Sequence, residues 1–135
     1  VGQIGGGYIG DRFNKRLICV GCMIAHAFGL MMVAFANSLL MVVAFTMLHG
    51  LAWGMRGPLM ITLRADYFGP SSFGTIMGFS SLIVMFGMSL GPIFAGLMAD
   101  IYGDYQIGFT VLATCAFMGS FCFLAAARPV HPNQE

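Results

Sequence analysis

The amino-acid order predicts an all-α protein, a polytopic bundle of membrane-spanning helices, and three observations carry that prediction. First, 59% of the 135 residues are apolar and only 8% are charged, against about a quarter charged in an ordinary soluble domain. Polar side chains are too few to cover a globule in water, whereas lipid solvates an apolar surface without cost. Second, the uncharged residues fall in runs of about twenty or more, the length that crosses a ~30 Å hydrocarbon core at about 1.5 Å per helical residue. Third, the six basic and five acidic residues collect in or near the gaps between those runs.

Residues 1–10 are Gly-rich, apolar and too short to span, and read as the end of a helix whose beginning lies upstream. The charged stretch Asp11 to Arg16 follows, and residues 17–36 form the first full span. Asn37 and Ser38 make a polar turn. The second span, 39–67, is interrupted by Arg56, Gly57 and Pro58. Pro58 lacks a backbone donor and crowds the preceding turn, so a kink is expected there. Gly69 to Ser72, GPSS, reads as a break before the third span, 73–99. That span carries Gly74, Gly78, Gly87 and Gly91, two pairs at four-residue spacing. Such pairs bare a strip of backbone against which another helix can pack closely. Gly91 and Pro92 predict a second bend. DIYGD, residues 100–104, is a polar turn, 106–127 is the fourth span, and 128–135 reads as a tail outside the membrane.

When loops alternate sides, Arg12, Lys15, Arg16, Arg64 and Arg128 share one face, with Arg56 in the half-span nearest it. The opposite turns hold Asn37, Ser38, Asp100 and Asp104. The positive-inside rule makes the basic side, with the charged loop and the C-terminus, cytoplasmic. A net charge of +1 offers no basic field for nucleic acid.

Several signals reduce to packing. Gly5, Gly7 and Gly10 fit the GxGxxG dinucleotide pattern, but a charged loop follows them and Leu30 and Met31 stand where its acidic residue belongs. Cys19, Cys22, Cys115 and Cys122 lie inside apolar runs and read as small packing residues, although Cys19 and Cys22 form a CxxC. Twelve Met residues are scattered without a paired ligand pattern, which fits pliant packing better than Cu(I) handling. No metal site, cofactor or enzymatic motif is predicted. His26, near the centre of the first span, reads as a residue that bonds across a helix interface, with a proton relay as the alternative.

GYIGDRFNKR, residues 7–16, resembles the loop signature of the major facilitator superfamily, G-x-x-x-D-R-x-G-R-R/K. Gly7, Asp11, Arg12 and Arg16 fit it; Asn14 stands where the family has Gly, and Lys15 where it has Arg. Asn tolerates a left-handed turn, and Lys keeps the charge but loses the planar fork. RADYFGPSSFGTIMGF, the Gly91–Pro92 bend and ADIYGDYQIGF are similar to the tenth to twelfth helices of that superfamily, particularly in bacterial monocarboxylate or oxalate-formate carriers. The signature occurs once in each six-helix half of such proteins. The closing residues favour the second half, from the end of helix eight to helix twelve, over the first.

The resemblance implies a gating loop of Gly7, Asp11, Arg12, Lys15 and Arg16. Asp11 sits at a helix C-terminus, where the macrodipole is already negative, and needs a cation or the N-terminus of another helix. Arg12 or Arg16 can serve within the chain; the resemblance implies a latch to the missing N-terminal half. The alternative is that these basic residues only fix topology and bind headgroups. His49, Trp53 and Arg56, at spacings of four and three, share one helix face and form a candidate substrate path. Against it stands an Arg56 that reaches for the headgroups while Trp53 packs. The expected function is secondary active transport of a small solute, a monocarboxylate or other organic anion, by alternating access in a bacterial inner membrane. A four-helix membrane scaffold or channel subunit is the rival.

Overall fold

The computed structural model describes residues 2–126, which form four helices: α1 (Gly2–Arg12), α2 (Lys15–Ala34), α3 (Leu39–Tyr102) and α4 (Gln106–Ala125). Arg128 and the tail 128–135 lie outside the described residues. Among the described residues there is no strand, and α2, α3 and α4 are each long and apolar enough to cross a membrane.

The local chemistry sets the ends. Asn14 caps α2, its side-chain oxygen accepting from the Arg16 N–H at 3.0 Å, and Ser38 caps α3 by accepting from Met41 N–H at 3.4 Å. Gly103 closes α3 in the left-handed region, φ 81°, and its N–H reaches the Ala99 carbonyl at 2.8 Å. Asp104 accepts from Gln106 N–H at 2.9 Å at the start of α4.

Two expectations are corrected. The stretch from Gly7 to Arg16 is mostly not a loop: α1 runs through Arg12, and only Phe13 and Asn14 separate it from α2. Once Asn14 caps α2, two residues are enough to turn the chain. The GPSS break is also shorter than expected, because α3 leaves helical geometry only at Gly69, φ 69° and ψ 175°. That conformation is open essentially to glycine alone, and Pro70 then opens the following helix, where a missing N–H costs nothing. Pro58 and Pro92 lie in backbone that stays helical.

Gly69 therefore divides α3 into a first limb, 39–68, and a second limb, 70–102. The limbs run back alongside each other. Near the turn an Arg64 nitrogen lies 3.4 Å from Met77 Sδ, and farther away Trp53 and Met85 line one cleft. α2 packs chiefly on α4 and on α3, and α1 packs on α3. The second limb is open along its middle, residues 81–90 all being exposed.

Close approach falls on glycines other than those singled out in the third span. A Cβ at Gly74, Gly78, Gly87 or Gly91 would meet nothing within 4 Å. At Gly6 it would lie 2.6 Å from the Met55 carbonyl oxygen, and at Gly2 3.1 Å from Gly54 Cα. Gly2, Gly6 and Gly10 thus form the strip along which α1 lies against α3. Gly108 does the same for α4, 3.1 Å from Ala95 Cα.

Candidate functional site

At one end of the bundle α1, α2, the Gly69 turn and the end of α4 come together. Lys15 at the start of α2 forms an ion pair with Asp66 on the first limb, Nζ to Oδ2 at 2.7 Å, the one ion pair among the described residues. A single ammonium contact replaces the bidentate grip an Arg could make. Arg16 donates from Nη1 to the Ala126 carbonyl at 3.0 Å, and the Tyr67 hydroxyl donates to the same oxygen at 3.0 Å. One carbonyl, with two lone pairs, ties α4 to both α2 and α3. Asp11 is exposed, and neither intrachain candidate pairs with it: Arg12 stacks over the Tyr8 ring at 4.3 Å, and Arg16 is engaged at Ala126. Gly7 has nothing within 4 Å of a Cβ position.

Deeper in the bundle His49, Trp53 and Arg56 lie on one face of the first limb, which is what their spacing gives. The Arg56 guanidinium sits 5.2 Å from the Trp53 ring centroid and donates to Met23 Sδ at 3.9 Å. His26, from α2, completes the group. It is buried, its Nδ1 is 3.1 Å from Nδ1 of His49, and its ring meets Trp53 edge-on at 6.1 Å between centroids. The sequence marks His26 as an interface residue without naming its partner.

Trp53, Arg56 and Met60 from the first limb, with Ser81 and Met85 from the second, enclose a cleft of about 250 Å³. Arg64 lines it too. The charge pattern puts Arg64 beyond the membrane edge; in the structure it lies about two helical turns from Arg56 along the first limb and lines the same cleft. That spacing was readable in the sequence. The cleft thus holds two guanidinium groups, and neither forms an ion pair among the described residues. Such a pair of groups suits a carboxylate, which guanidinium binds with two parallel hydrogen bonds. A second cavity, about 530 Å³, lies where the second limb meets α2 and α4, and is lined by Leu30, Gly91, Pro92 and Phe109 with His49 from the first limb. Among the described residues no cluster of three or more metal-ligating side chains occurs, and all four cysteines are free thiols.

Comparison with known proteins gives similarity to membrane carriers. The chain is 29% identical over 97 residues to a multidrug resistance protein B homolog of Mycobacterium tuberculosis, covering 72% of this chain and 18% of that protein. It is 29% identical over 127 residues to a triacylglyceride transporter of Mycobacteroides abscessus, covering 94% of this chain and 24% of that one. To a benzoate transport protein of Acinetobacter baylyi it is 24% identical over 119 residues, covering 88% of this chain and 26% of that one. The chain therefore spans less than a third of the length of these relatives. No solved structure matches. The family model described as Major Facilitator Superfamily matches residues 1–135, and with an all-helical bundle carrying its loop signature at the joint of α1 and α2, the chain belongs to that family.

Proposed function

We propose that this chain forms the C-terminal part of a secondary active transporter, from the end of the eighth helix to the twelfth, which moves a small organic anion by alternating access. One observation carries the choice of an anion. Arg56 lies within a membrane-length helix, has no acid partner among the described residues, and shares its cleft with Arg64. Ionisable groups at membrane depth face cavities and mark substrate routes. A cleft of about 250 Å³ suits a small carboxylate such as the aromatic acid in the name of the Acinetobacter relative. His49 and Trp53 extend this path towards the larger cavity.

The basic end is the cytoplasmic gate of this reading, placed by the positive-inside rule at the inner face of a bacterial plasma membrane. Lys15, Arg16, Asp66 and Tyr67 bind three helices there, while Gly7, Asp11 and Arg12 close α1 beside them. Asp11, exposed and unpaired within the described residues, is the group that meets the N-terminal half of the carrier in one state.

The test is benzoate uptake into proteoliposomes by the full-length carrier. Arg56→Gln and Arg64→Gln should each lower uptake at least about tenfold, because a partly desolvated carboxylate loses a charged partner. Unchanged uptake in Arg56→Gln would return that residue to the headgroups and remove the anion reading.

A further inference from the structure

Behind the cleft the rings of His26 and His49 meet Nδ1 to Nδ1 at 3.1 Å across the interface of α2 and α3. Two like nitrogens at that distance bond only when one carries hydrogen and the other offers a lone pair. In the neutral pair one ring therefore has its hydrogen on Nδ1 and the other has its hydrogen on Nε2. One added proton is accommodated: it binds the Nε2 lone pair of the ring whose Nδ1 already donates, and the bond between the rings survives. A second proton would set two N–H groups against each other, so the pair takes one.

Access to the pair is asymmetric. His26 is 5% exposed, and its Nε2 is buried with no partner. His49 lines the cavity of about 530 Å³ bounded by the second limb of α3, α2 and α4, and is the ring a proton meets first. The charged group facing the pair is Arg56 of α3; Cys19 and Cys22 of α2 lie beside Arg56. On α4 the titratable residues are Cys115 and Cys122, and on α1 they are Tyr8, Asp11 and Arg12, all of them exposed. No carboxylate among the described residues joins the group.

We propose that His26 and His49 together form a one-proton site, coupled through Arg56 to the anion in the cleft. The proposal rests on the anion reading above for its coupling, and on the ring geometry alone for the site. An imidazolium there stands beside a guanidinium with no negative charge between or around them. A carboxylate seated at Arg56 and Arg64 supplies that charge, so each ligand favours the other. By thermodynamic linkage the effect is reciprocal: the proton tightens anion binding by the factor with which the anion tightens proton binding. Uptake of the anion then draws one proton with it.

Two measurements on the full-length carrier in lipid nanodiscs test this, with benzoate as the probe. The ring-nitrogen NMR shifts of His26 and His49 should report one added proton divided between the two rings, and benzoate should extend its occupancy to higher pH. The dissociation constant for benzoate should tighten about fivefold or more between about pH 8 and about pH 6. In the His26→Gln, His49→Gln double variant the ratio of the two constants should fall to one. Independent titration of the two rings, no protonation down to about pH 4, or an unchanged ratio in the double variant would each overturn the proposal. A wild-type carrier that binds no benzoate removes the anion reading and the coupling with it, while the nitrogen shifts alone still decide the proton site.

Discussion

Gly69 is the residue on which the shape of α3 turns, because its φ of 69° and ψ of 175° lie in a region closed to residues with a Cβ. Gly69→Ala should lower stability by about 1–3 kcal/mol, read as a reduced thermal transition of the detergent-solubilised carrier. An unchanged transition would mean that the turn does not need this conformation. A glycine, a proline and two serines show in the sequence that the helix is interrupted, but not for how long. Pro70 needs no N–H and can begin a helix at once, so the loop shrinks to one residue. The partner of His26 was hidden for another reason: twenty-three positions separate it from His49, and only the relative rotation of α2 and α3 brings the rings together. Arg64 shows the opposite case. It lies about two helical turns from Arg56, and spacing along a single helix makes its reach into the same cleft legible.

At the scale of elements, α1 is held by what it lacks. Gly2, Gly6 and Gly10 recur every four residues; the first two let its backbone lie directly on that of the first limb of α3, and Gly10 makes room for the Leu59 side chain. This stripe was present in the sequence beside the misleading GxGxxG pattern, and all of it belongs to a helix too short to be read as a span. Gly5 and Gly6 offer a matched test. A methyl group at Gly6 falls 2.6 Å from a Met55 backbone oxygen, whereas at Gly5 it meets nothing within 4 Å. Gly6→Ala should cost about 1–3 kcal/mol, and Gly5→Ala should be neutral or slightly favourable, since Ala suits a helix better by about 1 kcal/mol. Equal thermal transitions for the two variants would show that α1 does not pack as described. The all-helical class and the long apolar runs were legible throughout, because hydrophobic length is a local property. Which face of each helix meets which neighbour is not local.

For the whole molecule, the chain spans less than a third of the length of these relatives, and among the described residues Gly74, Gly78, Gly87 and Gly91 have nothing close to a Cβ position and Asp11 forms no ion pair. Asp11→Asn in the full-length carrier should shift the balance of inward-open and outward-open states, since a charge pair made in only one state biases the equilibrium by its full strength. Distance measurements between spin labels on the two halves would detect it; identical distributions and identical transport rates would reject the latch. A start codon immediately upstream of Val1 would favour the scaffold reading over a carrier. The second limb of α3 meanwhile has the mechanics of a beam clamped at both ends. Gly69 fixes one end and the contact of Ala95 with Gly108 fixes the other, with roughly 40 Å of helix between them at about 1.5 Å per residue. Load on such a beam is relieved by bowing at midspan rather than by swinging from a pivot. Residues 81–90 are all exposed, and Met85 and Met88 among them line the two cavities, so this is where those cavities can change volume while both anchors stay still.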